Sequence, residues 1–221
     1  MPTSGGKKVT TEGFSIPGGS YTGRLRRVAL ILGDRKGSLS VGCKETRMAE
    51  LNCDLDRAHS PQIAASALHL PFMEGIFQTI LFTDVIEHIP MGTEPQALKE
   101  IRRCLKRGGR LILSTPNDTL VFKLLDPAWW LVRHRHYRTN SIAGFLEGAG
   151  FDLRRSFCSG GVFQMIELLL HYFVGLPVYK MCGVLPPSIG WLNKKVDSEY
   201  NRASRGGYTI FVEAFASPNE G

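Results

Sequence analysis

Between Ser38 and Asn117 short apolar runs alternate with polar, turn-forming segments. The runs SLSVGC (38–43), AELNCDLD (49–56), QIAAS (62–66), FQTILFTD (77–84) and RLILSTPN (110–117) are continuous rather than alternating. A strand covered on one face reads apolar-polar-apolar, whereas one covered on both faces reads as an unbroken run. These five therefore predict parallel strands inside a helix-coated sheet. The segment PQALKEIRRCLKRGG (95–109) sets Ala97, Leu98, Ile101, Cys104 and Leu105 at helical spacing, with Lys99, Glu100, Arg102 and Arg103 opposite. Pro95 suits its first turn and Gly108-Gly109 predicts its stop. RLRRVALIL (24–32) predicts a covering helix with a basic side. NSIAGFLEGAGF (140–151) predicts a short helix capped by Asn140 or Ser141 and ended by Gly150, feeding a sixth strand, FDLRRSF (151–157), with GYTIFVEAFA (207–216) as a closing strand.

The pattern breaks over VFQMIELLLHYFVGLPVYKMCGVLPP (162–187), which is apolar nearly all round. A membrane span takes about 20 uninterrupted apolar residues, and Gln164, Glu167, His171 and Pro177 interrupt this one. Two readings stand side by side: a buried or lid-forming helix, or an interfacial helix that makes peripheral membrane contact through 162–185. Residues 1–20 hold no apolar stretch of signal-peptide length and are expected to form a flexible leader, with 21–221 as one domain.

A chain of 221 residues that is 43% hydrophobic can bury one sizeable core, which agrees with that single domain. The formal charge of +7 is spread along the chain and forms no tail. It favours anionic partners without choosing among them, and no aromatic-plus-basic stripe accompanies it, so nucleic acid ranks below small molecules. Five cysteines, an odd number without C-x-x-C spacing, read as reduced thiols of a cytoplasmic protein. The histidines show neither H-x-x-x-H nor H-E-x-x-H spacing, and no metal is expected from them.

In an open parallel sheet the chemistry lies just beyond the carboxyl ends of the strands. Those positions hold Gly42 and Cys43, Asp54 and Leu55, Ser66, Ala67 and Leu68, then Thr83 and Asp84. A glycine lets the backbone approach a ligand, and an acid on the second strand can accept both hydroxyls of a ribose. The pair would also fit a nicotinamide enzyme, but pyrophosphate binding relies on a glycine-rich turn opening a helix, and this loop is short with one glycine.

The blocks ALHLPFMEGIFQTILFTDVIEHIP (67–90) and ALKEIRRCLKRGGRLILSTPN (97–117) resemble the third-, fourth- and fifth-strand blocks of class I S-adenosylmethionine-dependent methyltransferases. The resemblance extends more loosely back to Ser38 and forward through RHRHYRTNSIAGFLEGAGF (133–151). It implies a Rossmann-like seven-stranded α/β sheet of order 3-2-1-4-5-7-6 flanked by helices, its last strand inserted antiparallel, and S-adenosyl-L-methionine as cofactor. By the same resemblance Gly42 and Cys43 line the methionine part and Asp54 and Leu55 the ribose. Ser66, Ala67 and Leu68 border the adenine, and Thr83 and Asp84 close the pocket floor. Three departures stand out: Lys44 and Thr46 replace further glycines, Ser66 stands where an acid is usual, and Gln78 replaces an acid in the fourth strand.

Methyl transfer from a sulfonium is an in-line displacement, so the protein mainly aligns two reactants and removes a proton from a hydroxyl or amine acceptor. Candidate bases are His88, His134 and His136. Set against that role, His88 also suits loop packing, and His134 and His136 a basic surface. Segments 118–139 and 161–206 are the expected lid, and the expected acceptor is a small molecule or lipid-linked group, methylated on O or N. The competing reading is a catalytically silent methyltransferase-like module at a membrane or protein surface.

Overall fold

In a computed structural model the described residues are 22–217 without Arg35, 43–48, 58–60, Arg133, Leu185, 187–188 and Arg205, so the expected leader and Cys43 lie outside them. Seven strands, β1 (Ser38–Val41), β2 (Leu51–Asp54), β3 (Ile63–Ala64), β4 (Phe77–Thr83), β5 (Leu105–Pro116), β6 (Phe151–Ser159) and β7 (Thr209–Ala216), form one sheet of order β3-β2-β1-β4-β5-β7-β6. β1 to β5 run parallel, and β7 is antiparallel to both neighbours. This is the order and the antiparallel insertion that the resemblance implied.

Alternate residues of each strand serve opposite faces. Ile80 and Phe82 of β4, Leu111 and Leu113 of β5 and Ile210 and Val212 of β7 join a core with α2 (Glu94–Cys104) and α5 (Thr139–Gly148). Leu81, Ile112 and Phe211, one residue out of phase, join a second core with α1 (Thr22–Leu32) and α8 (Gly190–Tyr200). Both faces being covered, the central strands carry no polar alternation. α8, which lies within the expected lid segment 161–206, thus belongs to the layer coating the sheet.

Local chemistry fixes the element ends, with departures from pattern at the end of α2 and the start of α5. α1 stops at Gly33, whose φ is +70°, and Arg110 donates to the free carbonyls of Ile31 and Leu32 (3.1 and 2.6 Å). α2 ends at Cys104 rather than at Gly108-Gly109, because Leu105 is already paired with Phe77 in β5. Gly109 lies within that strand's irregular start, where a Cβ would fall 2.7 Å from the Lys106 carbonyl oxygen. α5 begins at Thr139 with Arg138, not Asn140 or Ser141, in the capping position. The buried Tyr137, bridged to Asn117, anchors the chain just before it and sets the start.

Four further helical pieces lie along the connections after β5 and β6: α3 (Leu120–Leu125), α4 (Pro127–Val132), α6 (Val162–Leu170) and α7 (Leu176–Cys182), the last two joined through a π-helical turn at His171–Gly175. Glu199 of α8 accepts from the backbone N–H groups of Gly161, Phe163 and Gln164 and so caps α6 from outside. The stretch Val162–Cys182 is long and apolar enough by composition to cross a membrane. Its interrupting polar residues Gln164 and Glu167 nevertheless face inward and are buried, beside Met165 and Leu168, which pack on Tyr208.

Candidate active site

At the carboxyl ends of β1, β2 and β4 the structure gathers Gly42, Asp54, Thr83 and Asp84. Gly42 has φ +65°, and a Cβ there would lie 2.8 Å from both Val85 methyl carbons, so glycine is required on two counts. Asp84 is the one non-glycine residue with positive φ among the described residues (+54°). Such a backbone costs roughly 1 kcal/mol or more and is held from three sides. Its N–H donates to the Ser114 carbonyl at 2.8 Å, Ser114 Oγ donates to Oδ1 at 3.2 Å, and Arg24 Nη1 pairs with Oδ2 at 3.0 Å. Arg24 is buried on α1, the covering helix with a basic side.

Asp54 ends β2 largely buried, with Oδ1 accepting from the Asp56 N–H at 3.0 Å. Leu55 beyond it is 73% exposed. Ser66 Oγ accepts from the Leu68 N–H at 3.2 Å, Ala67 packs into the core, and Leu68 is half-buried. Thr83 is buried at the end of β4.

A second group converges from the loops after β4 and β5. Glu87, whose side chain is fully buried, receives a hydrogen bond from Thr115 Oγ1 on Oε2 (3.0 Å), while its Oε1 has no hydrogen-bond donor. Burial holds this carboxyl well above the ordinary range; the Asp84 charge pushes the same way, and the Thr115 bond and Arg24 oppose it. His134 Nε2 lies 3.6 Å from that free oxygen and 3.1 Å from His88 Nε2. Behind His134, its Nδ1 is 3.9 Å from Asp126 Oδ2.

His136 is placed differently. Its side chain is fully buried, with Nδ1 at 3.2 Å from the Asn117 carbonyl oxygen and Nε2 at 2.8 Å from Asp126 Oδ2. Both ring nitrogens face acceptors, so His136 supports the site and has none to offer an acceptor as a base. Asp126 is the hub: His136, the Ala128 N–H and Tyr208 Oη (2.9 Å) all donate to it. Burial alone would raise its carboxyl, but these bonds, with the His134 ring close by, hold it well below the usual range.

Arg135, between the two histidines in the chain, turns the other way and clamps the loop that carries Glu87 and His88. It donates to the carbonyls of Ile86 (2.8 Å), Glu87 (3.1 Å) and Ile89, and pairs with Glu94 Oε1 at 2.7 Å. Tyr137 Oη donates to the same Glu94 oxygen at 2.9 Å. Of this stretch, then, His134 faces the cluster, while Arg135, His136 and Tyr137 hold the surrounding loops in place. An open cleft of about 450 Å³ lies beside this cluster, lined among others by Met91, Lys123, Trp129, His134 and His136. Arg24, Arg135, Asp126 and Tyr208 carried no sequence signal, since each acts on a partner far away in the chain.

A family profile described as a methyltransferase domain matches residues 23–156, more than half of the chain. An uncharacterized protein of Methanocaldococcus jannaschii is 43% identical over 61 residues, which span 27% of this chain and 26% of that protein. Among solved structures, a Thermotoga maritima S-adenosylmethionine-dependent methyltransferase is similar with a TM-score of 0.62 at 15% identity, covering 90% of this chain and 91% of its own. The Burkholderia thailandensis 1,6-didemethyltoxoflavin N1-methyltransferase, solved with S-adenosylhomocysteine, is similar with a TM-score of 0.53 at 14% identity, covering 90% and 78%.

Proposed function

This chain belongs to the class I S-adenosylmethionine-dependent methyltransferase family, and on that premise we propose that it methylates an oxygen or nitrogen of a hydrophobic small-molecule or lipid-linked acceptor. The residues at the sheet edge suit the cofactor's chemistry. An amino-acid end asks for an acid and a base side by side, which Asp84 and Arg24 offer at 3.0 Å from each other. A ribose diol asks for a paired acceptor, which the Asp54 carboxylate offers, and Gly42 allows close backbone approach. When bound, the cofactor supplies an electrophilic methyl group on a sulfonium whose departure needs no proton.

The chain's own task is positioning. Reacting atoms must be held about 3–3.5 Å apart and in line, between the Asp84 edge and the cluster of Glu87, His88 and His134. There His88 and His134 orient the acceptor and ease loss of its proton, with Glu87 buried behind them.

One observation carries the choice of acceptor: the apolar side chains left exposed on α3 and α4, whose Lys123 and Trp129 line the cleft, and on the helices after β6. Leu120, Val121, Trp130 and Leu131 on α3 and α4 are each more than 60% exposed, as are Phe173 in the π-helical turn and Trp191 on α8. Apolar side chains exposed to this degree suit an interaction surface. Tryptophans among it, with Lys123 nearby and a +7 net charge, suit the headgroup region of an anionic bilayer. The test is transfer of tritiated methyl from S-adenosylmethionine to lipid and aqueous extracts, with and without anionic vesicles. Label in the organic phase, rising with vesicles, is expected. Label confined to water-soluble products at a vesicle-independent rate would refute the lipid-linked acceptor, and no transfer by protein that binds the cofactor would refute methylation.

A further inference from the structure

The cluster of Glu87, His88 and His134 is built in a way that a pair of free bases does not require. We propose that Glu87 Oε1, His88 Nε2 and His134 Nε2 bind a divalent transition-metal ion at the cleft, and that acceptor oxygen completes its coordination. The ion site stands on geometry alone; its use on the acceptor rests on the methyl-transfer reading above.

The three atoms lie within 4.8 Å of one another, with separations of 3.1 Å between the two histidine nitrogens and 3.6 Å from His134 to Glu87. An ion with bonds of about 2.0–2.1 Å sets neighbouring ligand atoms roughly 2.8–3.4 Å apart, depending on octahedral or tetrahedral geometry. Two of the three separations already lie close to that range, and a shared ion would draw Glu87 and His88 together. Protein contacts join the two histidine nitrogens but leave the carboxylate member unsatisfied: Glu87 Oε1 is buried without a donor. An orphaned buried acceptor of this kind costs about 1–3 kcal/mol, and a cation would relieve it. Two histidines and one carboxylate are a ligand set for zinc or non-haem iron, and three protein ligands leave positions open for substrate.

The surroundings are those of ligands held in place. Thr115 engages Oε2 of Glu87 and so turns Oε1 toward His134. Asp126 stands beyond His134 Nδ1, the place of the carboxylate that orients a metal-bound histidine, and is itself fixed by His136, Tyr208 and the Ala128 N–H. Arg135 locks the Glu87-His88 loop. A second set among the described residues, Asp126, His134 and His136, shares His134, but both nitrogens of His136 are already bonded within the protein. The first set, whose His88 is exposed, is the one open to a substrate.

In the step this implies, an acceptor hydroxyl binds the ion and releases its proton to solvent. The oxygen lone pair then forms the new C–O bond as the C–S bond breaks, and that electron pair stays on sulfur as a neutral thioether. The two histidines act through the ion rather than as free bases.

The experiment uses untagged full-length protein stripped with chelator and titrated with Co²⁺, read by its visible ligand-field absorption, with cofactor binding measured separately by calorimetry. One equivalent of Co²⁺ is expected, abolished in His134→Ala and Glu87→Gln, unchanged in His69→Ala, and weakened about 10–100-fold in Asp126→Asn. Cofactor affinity within threefold of wild type in all variants shows that they fold and keeps a failed metal site distinct from a failed methyltransferase reading. No saturable absorption, or an equal signal in His134→Ala, overturns the site; a signal surviving His88→Ala but lost in His136→Ala overturns the ligand set. Methyl transfer that chelator abolishes and Zn²⁺ or Mn²⁺ restores supports the catalytic use, and turnover indifferent to chelator overturns that use.

Discussion

Glu167 offers a perturbation whose size follows from its place in the fold. It lies on the inward face of α6, buried, with Oε2 lacking a hydrogen-bond partner. Burial pushes its carboxyl from 4.5 up to about 8; Arg24 opposes this and Asp197 adds to it. In the unfolded chain the group ionises near pH 4.5, while in the folded protein it stays protonated until about pH 8. The folded state therefore binds more protons across that interval, and stability falls as pH rises, by up to about 1.4 kcal/mol per pH unit. Glu167→Gln keeps size and a neutral polar group, so it removes the slope without opening a cavity. The variant should match wild type to within about 1 kcal/mol at pH 5 and gain about 3 kcal/mol on it between pH 5 and pH 7.5. With a urea m-value of about 3 kcal/mol/M, that is a midpoint increase of about 1 M. Glu87 also has a raised carboxyl, so the wild-type curve alone is composite, and the difference between the two proteins isolates Glu167. A difference that stays flat from pH 5 to 7.5 would refute the reasoning.

Gly42→Ala should destabilise by about 2–4 kcal/mol, combining left-handed backbone strain with the clash on Val85, and Val85→Ala in the same chain should recover only the steric part, as read by denaturation of both variants. Arg135→Ala frees the loop carrying Glu87 and His88; kcat should drop about 100-fold while cofactor affinity by calorimetry changes less than threefold, because a misplacement near 1 Å is that costly to catalysis. Asp126→Asn should lose about 2–4 kcal/mol at pH 7 through its bonds to His136 and Tyr208. Since this carboxyl is held below its ordinary value, the stability it contributes is present above about pH 4 and lost as pH falls further, so the gap to wild type should close in strongly acidic solution.

The fold was legible where burial repeats at short range. The unbroken apolar runs mark β1, β2, β4 and β5 because a strand coated on both faces has no polar phase, and the helical spacing of Ala97, Leu98, Ile101 and Cys104 marks α2. Where long-range pairing overrode local pattern, boundaries moved. Leu105 left a helical run to pair with Phe77, and Tyr137, anchored at Asn117, set the start of α5. The strand-end residues Gly42, Asp54 and Asp84 could be located from sequence, since sheet topology places whatever follows each strand at one edge.

The acceptor side was not legible in that way. His88 and His134 are 46 residues apart in the chain and 3.1 Å apart in space. Metal-ligand spacing rules look along one helix or one loop, and here two loops from neighbouring strands supply the atoms. The sequence by itself determined the strands, the residues that gather at their carboxyl ends and the presence of candidate histidines, because each follows from local periodicity or from position after a strand. Only the tertiary structure decided that His136 is a buried support, that Arg135 is a clamp, and that Glu87 faces His134 with an unpaired oxygen. Those outcomes depend on how the loops after β4 and β5 are brought side by side, a distance no local pattern encodes.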